Sequence, residues 1–206
     1  MHSSAKQVVF KDYVFNVSEY VYEPAEDSFL FAEYLLSESG KYVLDMGTGC
    51  GILGVVAAAS DSRVVAVDIN PYAVRCAREN ARLNHVADKF SFIRGDLFGS
   101  LKANVLFDLI LFNAPYLPTN RREGKSWLEH AWAGGINGRR IIDKFISQSS
   151  SHLLPRGRVL LLQSTLSGVE KTLKSFKGKG LKARTLLVED LPFFESIVLI
   201  EARHWV

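Results

Sequence analysis

Cysteine is scarce in this chain: Cys50 and Cys76 are its only two among 206 residues. Two thiols make neither a disulfide framework nor a metal-binding pattern. The five histidines (His2, His85, His130, His152 and His204) are scattered without ligand spacing, so no metal site is expected. No apolar run approaches the ~20 residues that a membrane helix needs. The first residues lack the charged-then-apolar order of a signal peptide, and the expectation is a soluble, cytoplasmic protein with no membrane contact. Charge of one sign is also in short supply. A net charge of +3 is too small to argue for nucleic acid. The basic residues are spread out, apart from Arg121-Arg122 and a run of Lys171, Lys174, Lys177, Lys179 and Lys182, which reads as a solvated helix face. Repeats, linkers and low-complexity segments are missing too. The expected organisation is a single domain over 1–206, with 1–20 as an N-terminal arm.

What is present is alternation of strands and helices. Residues 8–17 alternate weakly and suit a hairpin or arm. Pro24 opens a helix to Leu36, with Glu26 and Asp27 in the first turn, where carboxylates suit the positive end of the dipole. Strands are expected at 42–46, 63–67, 90–94, 107–112 and 158–163, and helices at 52–59, 70–84, 138–153 and 168–176. A long loop covers 113–137, and 182–188 and 196–201 close the chain as a hairpin through Leu191-Pro192. Strands separated by helices imply an α/β, doubly wound, mostly parallel sheet, to which the closing hairpin adds an antiparallel strand.

The strand at 107–112 runs into Asn113-Ala114-Pro115-Tyr116. Pro115 cannot donate to a sheet ladder and biases Ala114 towards extended geometry, so the strand stops there. Asn113 and Tyr116 are thereby presented at a strand's carboxyl end, where open α/β sheets form their ligand crevice. An amide oxygen and neighbouring carbonyls accept both protons of a planar NH2 group while an aromatic ring covers its face. Those are the needs of an enzyme that alkylates an amide or aromatic amine, whose lone pair is delocalised.

Upstream, Asp45-Met46-Gly47-Thr48-Gly49-Cys50-Gly51-Ile52-Leu53-Gly54 follows a strand and opens a helix. Such glycines let backbone approach a ligand at a helix N-terminus. The last six residues match the dinucleotide fingerprint, and Asp68 lies near the spacing of a ribose-binding carboxylate, so a nicotinamide dehydrogenase is one alternative. Against it, Asp45 precedes the glycines, where it would crowd a pyrophosphate. The chain also has no separate substrate domain, and Asp96 in Gly95-Asp96-Leu97 would be idle. A cationic amino-acid nucleoside uses all three: Asp45 beside its ammonium, Asp68 on the ribose hydroxyls, Asp96 on the adenine amino group.

The glycine segment, Asp68-Ile69-Asn70-Pro71, Gly95-Asp96-Leu97 and Asn113-Ala114-Pro115-Tyr116 resemble the successive motifs of class I S-adenosylmethionine-dependent methyltransferases. Residues 21–30 (Val-Tyr-Glu-Pro-Ala-Glu-Asp-Ser-Phe-Leu) and 131–139 (Ala-Trp-Ala-Gly-Gly-Ile-Asn-Gly-Arg) resemble the eukaryotic and archaeal enzymes that methylate translation release factors on the glutamine of a Gly-Gly-Gln loop. The resemblance runs from about Tyr22 to the C-terminus. It implies a Rossmann-like, mostly parallel seven-stranded sheet with an antiparallel C-terminal strand. It places cofactor contacts on Ser28, Asp45, Gly47, Gly49, Gly51, Asp68, Asp96, Leu97 and Asn113, and the acceptor amide on Asn113, Ala114, Pro115 and Tyr116. Ala114 departs from the family's usual proline, a loss of backbone rigidity worth about 0.4–1 kcal/mol.

Transfer from a sulfonium needs no metal, and positioning of nucleophile and methyl dominates. The segment around Trp127, Trp132, Gly134 and Gly135 suits a lid that excludes water. An adenine amino methyltransferase acting on DNA or RNA uses the same tetrapeptide, but a basic groove or added recognition domain is not evident, and nucleic acid is the less favoured partner. A catalytically silent subunit that binds the cofactor is the other alternative. Relatives of this kind resemble one another in needing a small zinc-binding activator. The strand Phe90-Ser91-Phe92-Ile93-Arg94, expected at a sheet edge with no proline or lysine to blunt it, is the expected docking site, through Phe90 and Phe92.

Overall fold

The computed structural model describes residues 6–38, 40–119, 126–191 and 195–205, in two compact units, Met1–Ser100 and Leu101–Val206. His2, Arg121-Arg122 and Pro192 lie outside the described residues.

The first unit begins with an antiparallel hairpin, β1 (Lys6–Phe10) and β2 (Tyr13–Val17), where the arm is expected. α1 (Glu26–Leu35) starts two residues after Pro24, because Ala25 is extended. β3 (Tyr42–Met46), β4 (Arg63–Asp68) and β5 (Phe90–Arg94) are parallel in the order β5-β4-β3. Between them run α2 (Ile52–Ala59) and α3 (Pro71–Leu83). α2 is Ile-Leu-Gly-Val-Val-Ala-Ala-Ala and nearly all of it is buried, as expected of a helix apolar all round. α3 has Pro71 at its first position, and the Asn70 side chain caps it by accepting from the Tyr72 amide at 2.9 Å.

The second unit contains β6 (Phe107–Asn113), α4 (Trp127–Trp132), α5 (Arg140–Ser149), β7 (Leu153–Ser164), α6 (Val169–Gly178), β8 (Leu181–Asp190) and β9 (Ser196–His204). Their strand order is β6-β7-β9-β8, with β9 antiparallel to both neighbours. The core is aliphatic and aromatic: Phe112 on β6 meets Phe145 on α5 with ring centroids 4.5 Å apart. Seven strands alternating with helices, mostly parallel and with one antiparallel strand near the C-terminus, are the α/β class expected.

The helix expected over 138–153 ends at Ser149 and the strand expected over 196–201 runs on to His204, and two further differences have a clear cause. β7 begins at Leu153, not 158, because its first residues pair with β6 across a register shift between Phe107 and Leu109. Pro155 and Gly157 read as breakers, yet the irregularity absorbs them, and Gly157 sits so close to the Phe107 carbonyl that a Cβ would fall 2.7 Å from it. The loop expected over 113–137 contains α4. Ser126 caps it, accepting from the Glu129 amide at 3.3 Å, and Ser126-Trp127-Leu128-Glu129 has capping-box spacing that was legible in the sequence.

Candidate functional site

In the first unit the site grows from the carboxyl ends of β3 and β4. The chain leaves β3 through Gly47, Gly49 and Gly51, all with positive φ. The Gly47 and Thr48 amides donate to the Val67 carbonyl at 2.8 and 3.0 Å, so the loop is laid across the end of β4. Gly51 is required by packing as well as by its φ of 89°: a Cβ there would come within 3.0 Å of Ala77 on α3. Above Gly49 the nearest atom to a Cβ is the Gly47 carbonyl oxygen at 4.0 Å, which leaves open space beside the loop.

Two carboxylates organise this loop. Asp45, 1% exposed, accepts through Oδ2 from the Thr48 hydroxyl at 2.5 Å and the Gly54 amide at 3.1 Å. Burial pushes its carboxyl up to about 6 from the ordinary 3.8, against the lowering effect of those two donors. Asp68 accepts from the Gly49 amide at 3.0 Å and the Asn70 amide at 2.9 Å, and burial raises its carboxyl too. The structure thus ties Asp45, Gly47, Gly49, Gly51 and Asp68 into one hydrogen-bonded cluster. Gly95 joins it by donating to the Asp68 carbonyl at 2.9 Å, which brings the next two residues to the same strand ends. There Asp96 is exposed and Leu97 is buried with φ of 48°, a left-handed conformation that costs a non-glycine residue about 1–3 kcal/mol and concentrates at functional sites.

Ser28 stands in the first turn of α1, buried, with its amide and hydroxyl donating to the Asp27 carboxylate at 2.6 and 3.1 Å. Tyr22 shares that carboxylate; burial first, and Asp27 second, push its phenol upward. A residue that sequence reasoning missed is Asn80. Its amide nitrogen donates to the Cys50 carbonyl at 2.8 Å and the Asn16 carbonyl at 3.0 Å, while its oxygen accepts from the Asn16 amide at 2.9 Å. It joins the glycine loop, α3 and the β1-β2 hairpin. A lone asparagine in a helical pattern gave no signal of that.

In the second unit the tetrapeptide ends β6. Asn113 is half-buried, Ala114 is 3% exposed, and the Ala114 amide donates to the Leu162 carbonyl at 3.3 Å. Pro115 and Tyr116 are half-buried. Residues 133–140 then clamp the chain that follows. Leu117 donates to the Trp132 carbonyl at 3.0 Å, Gly134 to the Leu117 carbonyl at 2.9 Å, and Thr119 to the Gly135 carbonyl at 2.9 Å. Gly138, with φ of 70°, passes so close to Tyr116 that a Cβ would fall on its carbonyl oxygen. Gly134 and Gly135, in the segment expected to form a lid, are held to residues 117–119 by hydrogen bonds. Arg139, 3% exposed, anchors the clamp: it donates to the carbonyls of Ser167 and Gly168 and to the Thr172 hydroxyl at 2.6–3.0 Å, and pairs with Asp143 at 2.6 Å. Thr172 donates onward to Gln163 at 2.6 Å. Gln163 and Thr172 interrupt apolar patterns in the sequence, and that was the available signal for this buried polar network.

Phe90 and Phe92 share one face of β5, their rings stacked at 5.0 Å and 6°. Both are half-buried: Phe90 lies over Gly54 of α2, and the Arg78 guanidinium sits 5.4 Å from the Phe92 ring. Among the described strands β5 pairs only with β4, so it is an edge. Among the described residues no group of His, Cys, Asp or Glu is arranged to hold a metal ion, and no helix is long and apolar enough to cross a membrane.

A glycine loop braced by strand-end carboxylates, and a polar-aromatic tetrapeptide at another strand end, define an α/β group-transfer enzyme. The family model described as methyltransferase small domain matches residues 24–184, and the chain belongs to that family. A putative protein N5-glutamine methyltransferase of Methanocaldococcus jannaschii is 42% identical over 87% of this chain and 90% of its own length. Methyltransferase HEMK2 of Homo sapiens is 35% identical over 81% of this chain and 82% of its own. Among solved structures, the E. cuniculi Mtq2-Trm112 complex, described as responsible for methylation of the eRF1 translation termination factor, matches with a TM-score of 0.70. It is 25% identical, over 90% of this chain and 99% of that one. The fold is the class I methyltransferase fold expected.

Proposed function

We propose that this chain transfers a methyl group from S-adenosylmethionine to the glutamine side-chain amide of the Gly-Gly-Gln loop of a translation release factor. The observation that carries the reading is the tetrapeptide at the end of β6, held by the Ala114–Leu162 hydrogen bond and by the close passage of Gly138 under Tyr116. Its support from likeness is the Methanocaldococcus jannaschii relative that is 42% identical over 87% of this chain. We read both units as parts of one methyltransferase domain, since the family model spans them.

The first unit fits the cofactor. Open space beside Gly49, the first-turn amides of α2 and the carboxylates of Asp45 and Asp68 suit a nucleoside with a cationic amino-acid tail. When bound, S-adenosylmethionine supplies a methyl group already activated by its sulfonium charge. Asp68 accepts from the ribose hydroxyls, Asp45 compensates the ammonium, Asp96 and Leu97 border the adenine, and Ser28 and the loop glycines complete the contacts. Asn113 and the carbonyl of Ala114 accept the two N–H bonds of the substrate amide. Tyr116 packs on the amide plane, and Pro115 holds it there. Positioning of that kind supplies several kcal/mol of the barrier lowering. The reading places the protein in the cytoplasm, with a small zinc-binding activator docked on β5 through Phe90 and Phe92.

Incubation with radiolabelled S-adenosylmethionine and either a purified release factor or duplex DNA tests the substrate. Label on the release factor, lost when its loop glutamine is changed, is the expected result. Label on DNA supports an adenine methyltransferase, and cofactor binding without transfer supports a silent subunit. Co-expression with the activator should give a heterodimer that the Phe90→Asp, Phe92→Asp double variant disrupts. A fully active monomer that gains nothing from the activator overturns the partner assignment.

A further inference from the structure

Among the described strands, β1 and β2 pair only with each other, and a two-stranded hairpin is marginal in water. Phe10 and Tyr13 close its turn, and counting from that pair the ladder exchanges no hydrogen bonds at Val14 and Asn16. The peptide groups of those two residues face away from β1, and two asparagines of α3 meet them. Asn84 accepts from the Val14 amide at 3.0 Å and donates to the Val14 carbonyl at 2.8 Å. Asn80 accepts from the Asn16 amide at 2.9 Å and donates to the Asn16 carbonyl at 3.0 Å. The Cys76 thiol adds a further donor, 3.1 Å from that carbonyl. Four residues of helix rise about 6 Å and two of strand about 6.8 Å, so carboxamides four apart fall opposite alternate peptides of β2. Each carboxamide repeats the donor and acceptor of a peptide group, and α3 stands in for a third strand.

The two asparagines differ in one bond. Asn84 directs its other proton to the Asn80 carbonyl, 2.8 Å away within its own helix. Asn80, which is buried, gives its other proton to the Cys50 carbonyl at 2.8 Å, in the middle of the glycine loop. The amide of that same peptide, from Gly51, donates to the Thr48 carbonyl at 2.8 Å. A planar peptide held at both ends cannot rotate. A second tie runs from the hairpin to the other flank of the site: the Tyr20 carbonyl accepts from the Asn70 side chain at 2.8 Å, and the Asn70 amide donates to Asp68 at 2.9 Å.

We infer that Asn80 is a positioning residue for cofactor binding: it locks the Cys50–Gly51 peptide of the glycine loop to the seated β1-β2 hairpin. Asn84 seats the hairpin without touching the loop. The inference rests on the cofactor reading of that loop. Without Asn80 the peptide is held at one end only, and the loop visits shapes that do not bind. Cofactor affinity then falls with the fraction of loop that stays competent.

Calorimetric titration of the full chain with S-adenosylmethionine, beside thermal unfolding, compares Asn80→Ala with Asn84→Ala. Both variants lose a pair of hydrogen bonds to β2, so both should melt at lower temperature. Only Asn80→Ala should also weaken the cofactor, by about fivefold or more in Kd, while Asn84→Ala stays within about twofold of the wild type. A merely structural role lowers the melting temperature and leaves the Kd of the folded protein where it was. An unchanged Kd in Asn80→Ala, or an equal rise in both variants, therefore overturns the inference. Should Asn80→Ala fail to fold, Asn16→Pro replaces it. The Asn16 amide donates to Asn80 and not to β1, so proline there removes that donor and spares the hairpin ladder. It should raise the Kd about threefold or more, and an unchanged Kd overturns the inference equally. A wild type that binds no S-adenosylmethionine sinks the cofactor reading itself. A wild type that binds it, with variants that bind as tightly, sinks the positioning role alone.

Discussion

The two units hold their motifs in different ways. In Met1–Ser100 the glycine loop is braced by neighbours close in sequence: Asp45 reaches Thr48 and Gly54, and Asp68 reaches Gly49 and Asn70. The carboxylates that we propose face the cofactor are also the groups that fold the loop. In Leu101–Val206 the tetrapeptide is braced from further along the chain. It depends on Leu162 of β7, on Gly138, and through Arg139 on Ser167, Gly168 and Thr172. In the proposed reading, a nucleoside with fixed charges is met by a short, self-organised loop. Orienting a neutral amide, in that reading, draws on supports from separate segments of the chain.

That contrast predicts how variants should divide. The largest effect belongs to Asn113→Ala, which should lower single-turnover transfer by about 10² or more while cofactor affinity stays within a few-fold, since one preorganised polar contact at the reacting centre is worth that much. Single-turnover rates within tenfold of wild type would remove Asn113 from its role. Next is Gly138→Ala, which forces a Cβ onto the Tyr116 carbonyl at a φ of 70°. It should cost about 2–3 kcal/mol in denaturant unfolding and depress transfer, although Gly138 is not itself assigned a contact with the substrate. Asp68→Ala should show the reverse pattern, weakening S-adenosylmethionine by about 1.5–3 kcal/mol in calorimetry. Unchanged binding there, together with measurable nicotinamide-dinucleotide binding, would overturn the methyltransferase cofactor assignment.

Asp45 sharpens the comparison through pH. Its carboxyl is raised in the folded state, so its contribution to stability is complete below about pH 3.8 and is lost as pH rises through about 6. Asp45→Asn should erase that limb of the melting temperature–pH curve while keeping an acceptor for Thr48 and Gly54. A cationic ligand group beside Asp45 favours the carboxylate, so wild-type cofactor affinity should rise with pH through about 6, and the variant's should stay flat. The smallest effect is expected for Ala114→Pro. Proline reduces the freedom of the unfolded chain by about 0.4–1 kcal/mol but removes the Ala114 donor to Leu162, a long bond worth about 0.5–1.5 kcal/mol. The two nearly cancel, and thermal unfolding should shift by no more than a few degrees.

The sequence by itself determined the α/β alternation, the strands at 42–46 and 90–94, the helix at 52–59 and the nature of both motifs. Each of these is local: apolar runs, Pro71 at a helix start, glycines after a strand, a proline ending one. Tertiary structure decided what depends on pairing across distance. β7 extends through Pro155 and Gly157 because its register with β6 shifts to admit them. Gly134 and Gly135 are clamped because residues 117–119 lie against them. Asn80 joins the loop to the hairpin because the helix that carries it packs between them. Arg158, Lys182 and Arg203 form one row although up to 45 residues separate them in the chain, because strand register, which sums contributions along whole strands, sets side by side residues that no local pattern connects.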